Sequence, residues 1–87
     1  MDLETIERQL ITYLAGAIGP RAAGIERGTP LISGGLLDSF AVVDLVEHVE
    51  STFAIRLEPD DMAAEKLDTV ARLGALVLKL REATGKP

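Results

Sequence analysis

The chain has 87 residues, with nine basic and fourteen acidic side chains, one histidine and no cysteine, for a net charge of −5. Such a length supports one domain, residues 1–87, whose folding buries roughly 60–65% of the unfolded surface. The composition excludes disulfides and thiolate metal sites, no apolar run approaches the roughly 18–20 residues of a membrane span, and Met1-Asp2-Leu3-Glu4 lacks the basic and apolar regions of a secretory leader, so a cytoplasmic setting is expected.

Residues 2–18 are predicted as a helix, because Leu3, Ile6, Leu10, Tyr13, Leu14 and Ala17 recur at three- and four-residue spacing. Gly19-Pro20 stops it. Residues 19–38 form a long connection punctuated by Gly24, Gly28, Pro30, Gly34 and Gly35. Its apolar residues Ile25, Leu31, Ile32, Leu36 and Leu37 predict a loop packed against the helices, and ordered loops of this length are usually functional. Asp38 is placed to cap a helix over 39–53 by accepting a first-turn N–H. Pro59-Asp60-Asp61 opens a short helix over 60–65, with proline tolerated and acids favoured at a helix start. Asp68 is expected to cap the last helix, 69–83, whose inward stripe is Val70, Leu73, Leu76, Val77 and Leu80. Thr84-Gly85 ends that helix, and Lys86-Pro87 is a tail. Alternating strand patterns are absent, so the expected fold is an all-α four-helix bundle, three long helices plus one short.

The helix over 39–53 has two faces. At 100° per residue, Val42, Leu45, Val46, Val49 and Phe53 fall on one side and form the core stripe. Phe40, Val43, Asp44, Glu47 and Ser51 cluster on the opposite side, with Glu50 at its edge. The outward face is therefore acidic but interrupted near its start by two apolar residues, as suits a docking surface with apolar anchors. The acidity extends further: residues 38–65 hold eight acids and one base, a local charge of −7 that leaves +2 for the rest of the chain. Such a surface repels nucleic acid and attracts basic protein partners.

Ser39 opens this helix. A serine there is commonly a local capping residue, yet its hydroxyl also lies beside free N–H donors and the positive end of the helix dipole, a favourable place for a phosphodiester. The segment Gly35-Leu36-Leu37-Asp38-Ser39-Phe40, continued by Val43-Asp44-Leu45-Val46 and Glu50-Ser51-Thr52-Phe53-Ala54-Ile55, resembles the phosphopantetheine attachment region of acyl and peptidyl carrier proteins. Leu57-Glu58-Pro59-Asp60-Asp61 and Leu67-Asp68-Thr69-Val70 are similar to that family's lead into its third and fourth helices. The family's Asp-Ser pair is followed by Leu or a related apolar residue, and here Phe40 fills that place.

The resemblance implies a helical bundle of the acyl carrier protein type. It implies a 4'-phosphopantetheine arm from coenzyme A attached covalently to Ser39, with Asp38 supporting. The partners it implies are a phosphopantetheinyl transferase, an acyl- or aminoacyl-loading enzyme, and downstream synthase or tailoring enzymes. The face made by Phe40, Val43, Asp44, Glu47, Glu50 and Ser51 would dock them, with the carrier a monomer. Asp-Ser-Phe preceded by Leu36-Leu37 is similar to stand-alone carriers served by dedicated ligases. That likeness takes in D-alanyl carriers, peptidyl carriers and acyl carriers for unusual building blocks, whereas fatty-acid carriers more often have Leu after the serine. The abundance of Ala, Gly and Arg, which points to a high-GC bacterium, favours secondary-metabolite biosynthesis, with a D-alanyl or fatty-acid carrier as the alternative.

Catalysis by the chain itself is not expected. His48 is nine residues beyond Ser39 on the same helix, about 13 Å of rise away and out of phase, so it cannot act as a base for that serine. Leu37 and Ala41 stand where a nucleophile elbow has glycines. Glu58, Asp60 and Asp61 lack the spacing of a calcium loop, so no metal site is expected. An adaptor bundle that uses the same acidic face without modification is the competing reading, and the acidic helix argues against a DNA-binding module.

Overall fold

Asp2 starts the first helix. Its carboxylate accepts the Thr5 N–H at 2.9 Å, which satisfies one of the orphan donors of a helix start. Helix α1 then runs Leu3–Ile18 in the computed structural model, which describes residues 1–84. Gly19, at φ +61°, ends it in a conformation that disfavours side chains, and a 3-10 turn, Gly19–Ala22, follows. Ile6, Leu10 and Leu14 are buried. Leu3 and Tyr13 are half-buried, and Ala17, expected on the same stripe, is exposed: Leu14 is the last α1 residue in the core.

Helix α2 spans Ser39–Phe53, matching the sequence expectation. Leu45, Val49 and Phe53 are buried, while Val42 and Val46 pack at the margin of the core. The helix ends at Ala54, a left-handed residue at φ 54° and ψ 47°. Arg81 Nη1 donates to the Phe53 carbonyl at 2.9 Å, a cation placed on the negative end of the helix.

Two expectations for the C-terminal third are corrected. The short helix over 60–65 is instead a 3-10 turn, Pro59–Met62, followed by α3, Ala64–Leu67. The Glu58 N–H donates to Asp61 Oδ2 at 3.0 Å and the Asp61 N–H to the Glu58 carbonyl at 2.8 Å, closing a tight turn. Ala63 is extended, at ψ 134°. That break re-aims the chain so that Leu67 is buried, a demand of packing and not of local pattern. The last helix, α4, spans Val70–Thr84, and Thr69 caps it in place of Asp68: the Arg72 N–H donates to Thr69 Oγ1 at 3.0 Å. Asp68 is committed elsewhere, as described below. The expected stop at Gly85 and the Lys86-Pro87 tail lie outside the described residues.

Helices α1 and α4 pack together. Gly74 of α4 is buried, and a Cβ there would stand 3.1 Å from Glu7 Cγ and 3.2 Å from Leu3 Cδ1, so the glycine lets the two helices approach closely. Val70, Leu73, Leu76 and Val77 fill the core from α4, and Leu31, Leu37, Ile55 and Leu57 fill it from the connections. The long connection is tied down along its length. Arg27 Nε and Nη2 donate to the two carboxylate oxygens of Glu7 at 2.9 and 2.8 Å, and the Ala71 N–H donates to the Arg27 carbonyl at 2.9 Å. Among the described residues all regular structure is helical.

Candidate functional site

The loop before α2 folds back on itself. The Leu31 carbonyl accepts the N–H groups of both Leu36, at 3.0 Å, and Leu37, at 2.9 Å. Gly35 is at φ +80°, and a side chain at Gly34 would collide with the Pro30 carbonyl oxygen, so this turn requires both glycines. From the first 3-10 turn, Arg21 Nη2 donates to the Gly35 carbonyl at 2.8 Å. Burial of Leu37 then delivers Asp38 to the start of α2. Asp38 Oδ1 accepts the Ala41 N–H at 2.8 Å and its carbonyl accepts the Val42 N–H at 2.9 Å, so the cap expected from sequence is formed.

Ser39 is the first residue of α2 and is exposed. Among the described residues nothing hydrogen-bonds its hydroxyl, and the backbone N–H groups of Ser39 and Phe40 are also without partners. A free hydroxyl beside two open donors at the positive end of a long helix fits an attached phosphodiester. Two other serines differ. Ser33 Oγ is committed to Asp68 Oδ2 at 2.6 Å, and Ser51 lies near the far end of α2.

Beside Ser39 runs an open groove of ≈ 440 Å³ between the loop and the α3 region. Apart from Asp38 and Ser39 its lining is apolar: Ile32, Leu37, Val42, Met62, Ala64 and Leu67. The sequence reading did not find it, because its two walls come from segments about 30 residues apart. One signal was present: Met62 is a large apolar residue within the acidic stretch, and it is 43% exposed.

The outward face of α2 carries Phe40 at 84% and Val43 at 56% exposure, with Asp44, Glu47 and Ser51 also exposed. Glu50, expected at the edge of this face, is half-buried, and its carboxylate accepts the Leu57 N–H at 2.8 Å. It anchors the α2–α3 connection instead of facing outward. His48 stacks on Tyr13 of α1, with ring centroids 3.9 Å apart and planes within 16°, and contacts the Thr52 hydroxyl. The Tyr13 hydroxyl is held above its ordinary pKa by burial and then by the charges of Asp44 and Glu47, so the acidic face reaches the α1–α2 seam.

Asp68 is the residue most misjudged by sequence. Its Oδ1 accepts the N–H groups of Ile32 at 2.7 Å and Ser33 at 2.8 Å, and its backbone carbonyl accepts the Leu31 N–H at 2.6 Å. Hydrogen bonds from the Ser33 hydroxyl and backbone hold its carboxyl below the usual aspartate value.

The family model of the phosphopantetheine attachment site matches residues 8–77. The chain belongs to this family. It is a carrier protein domain whose cofactor is a covalently attached 4'-phosphopantetheine, and the four helices described above agree with that bundle. Domains of this kind are generally non-catalytic carriers. No curated protein matches the carrier in a sequence comparison. Among the described residues, no helix is long and apolar enough to cross a membrane, and no cluster of histidine and carboxylate side chains is arranged to hold a metal ion.

Proposed function

We propose that Ser39 receives the 4'-phosphopantetheine arm and that the chain works as a cytoplasmic carrier, holding an acyl or aminoacyl group for secondary-metabolite biosynthesis. The observation that carries the attachment site is the exposed Ser39 hydroxyl at the start of α2, unbonded among the described residues and behind the Asp38 cap. When attached, the arm supplies a terminal thiol that holds the cargo as a thioester. The chain's own residues present the hydroxyl, offer the Ser39 and Phe40 N–H groups to the phosphodiester, and line the adjacent groove. Phe40, Val43, Asp44, Glu47 and Ser51 form the surface that meets the transferase and the loading and synthase enzymes; Glu50 is omitted because its carboxylate is already engaged with Leu57. The secondary-metabolite assignment is supported by the richness of the chain in Ala, Gly and Arg, and by Phe40 in the place after the serine where fatty-acid carriers more often have Leu.

The test is intact-protein mass after incubation with coenzyme A, Mg²⁺ and a broad-specificity phosphopantetheinyl transferase. One arm is expected on the wild type and none on Ser39→Ala. An arm at Ser33 or Ser51 overturns the assignment to Ser39; no arm under conditions that load a control carrier overturns it and favours the unmodified adaptor. The loaded species recovered from the native host, measured by mass, tests the pathway.

A further inference from the structure

The carboxylate with the most hydrogen bonds near the groove belongs to a residue that the carrier chemistry does not use. Asp68 lies in the turn between α3 and α4 and makes four bonds to three consecutive loop residues: Leu31 through its carbonyl, and Ile32, Ser33 N–H and Ser33 Oγ through its carboxylate. The effect passes on to the site. Leu31, once held, accepts the N–H groups of Leu36 and Leu37, and Asp38 and Ser39 follow directly in the chain. Asp68 also joins the two lips of the groove. Ile32 and Leu37 form one lip and Met62, Ala64 and Leu67 the other; Asp68 is the chain neighbour of Leu67 and is bonded to Ile32. A carboxylate suits this place because one oxygen can accept two adjacent N–H groups while the other accepts the hydroxyl.

We propose that Asp68 is a positioning residue for arm attachment: by clamping Leu31–Ser33 to the α3–α4 turn it holds Ser39 in the pose a phosphopantetheinyl transferase engages, and it sets the width of the groove beside that serine. This role rests on the assignment of the arm to Ser39. The turn next to the clamp contains Gly34 and Gly35, whose backbones have many alternative conformations. Without the clamp the competent loop is only one of several states. Apparent affinity for the transferase then falls in proportion to the competent fraction, while the rate from the bound state is retained.

The test is steady-state arm transfer with coenzyme A saturating and the carrier varied, at a temperature where circular dichroism shows each variant folded. It is paired with amide hydrogen exchange over residues 31–37. Asp68→Ala is expected to raise KM for the carrier about tenfold with kcat within about twofold, and to speed exchange at Ile32, Ser33, Leu36 and Leu37 while the α1 and α4 amides keep their protection. Asp68→Asn retains a carbonyl oxygen for the two N–H groups and an amide that can donate to Ser33 Oγ, so KM should return to within about threefold of wild type. A folded Asp68→Ala with wild-type KM and wild-type exchange overturns the role and leaves Asp68 as a structural staple. Should Asp68→Ala not fold, Ser33→Ala removes the hydroxyl bond alone; an unchanged KM with unchanged exchange at Ile32 and Ser33 then overturns it. Failure of the wild type to load overturns the Ser39 assignment and this role with it. A wild type that loads, beside a folded Asp68→Ala with the same KM for the carrier, overturns this role alone.

Discussion

Phe40 is 84% exposed, directly after the serine and ahead of two carboxylates on the same face of α2. A phenylalanine left in water gains nothing for the fold, and its value lies in what can cover it: burying an aromatic side chain in an interface removes about 150–250 Å² from water. Asp44 and Glu47 act differently. Exposed ion pairs are each worth only about 0.2–1 kcal/mol, but their field raises the encounter rate with a basic partner. Phe40→Ala is therefore expected to raise the dissociation rate from the transferase or loading enzyme about tenfold, equivalent to about 1.4 kcal/mol, with little dependence on salt. Asp44→Lys with Glu47→Lys should slow association about tenfold at low ionic strength. That loss should largely vanish near 1 M salt, where the screening length is about 3 Å. Surface-binding kinetics at two ionic strengths, with circular dichroism as the folding control, separate the two contributions. Unchanged association of the charge-reversed variant at low salt would make the acidic face a solubility feature.

Helices α1 and α2 are closed by specific contacts, and one closure is imperfect. Helix α2 ends in Ala54 at φ 54° and ψ 47°, where a Cβ costs roughly 1–2 kcal/mol and glycine is the usual occupant. The conformation is retained because Phe53 and Ile55 on either side are both buried and the Ile55 N–H is satisfied by the Glu50 carbonyl at 3.2 Å. Ala54 itself is exposed, so replacing it disturbs no packing. Ala54→Gly is expected to stabilise the protein by about 1 kcal/mol, offset in part by the greater freedom of glycine in the unfolded chain. For a domain of this size that is up to about 4–8 °C in Tm. A lower Tm in thermal unfolding would mean that the left-handed strain is relieved by some other means.

The response of the whole molecule to acid is set by carboxylates held below their ordinary values. Asp68 is lowered by the Ser33 hydrogen bonds, Glu7 by Arg27, and Asp2 by Thr5. A group whose pKa is depressed by folding contributes stability that is present above its unfolded value and is lost as pH falls through the folded one. With ordinary values of 4.5 for Glu7 and 3.8 for the two aspartates, the loss begins below about pH 4.5. Arg72 faces Asp68 and favours its charged form. Urea midpoints at pH 7, 5 and 3 should therefore fall chiefly between pH 5 and 3. The fall should be smaller in Asp68→Asn and Glu7→Gln, which cannot titrate at those positions. Variants with the same pH profile as wild type would place the acid sensitivity on other groups.

The sequence by itself determined the long helices and singled out Ser39 as the candidate serine. The spacing of Ile6, Leu10 and Leu14, the Asp38 cap, and the opposed faces of α2 depend on contacts within one turn or a few turns, so they can be read locally. The Asp38-Ser39-Phe40 run belongs to the same local register. Tertiary structure decided what each polar side chain does once distant segments meet. Asp68 sits one residue before Thr69, and both are good caps; only the arrival of Leu31–Ser33 gives Asp68 three donors and leaves the cap to Thr69. Glu50 falls at the edge of the acidic face by angle alone, but the Leu57 N–H needs an acceptor in the half-buried connection and takes it. The groove beside Ser39 has walls from the loop and from α3, so no window of sequence contains it. Its apolar lining remains open because α3 is re-aimed at Ala63 to bury Leu67, a choice made by the core and not by the residues on either side of the break.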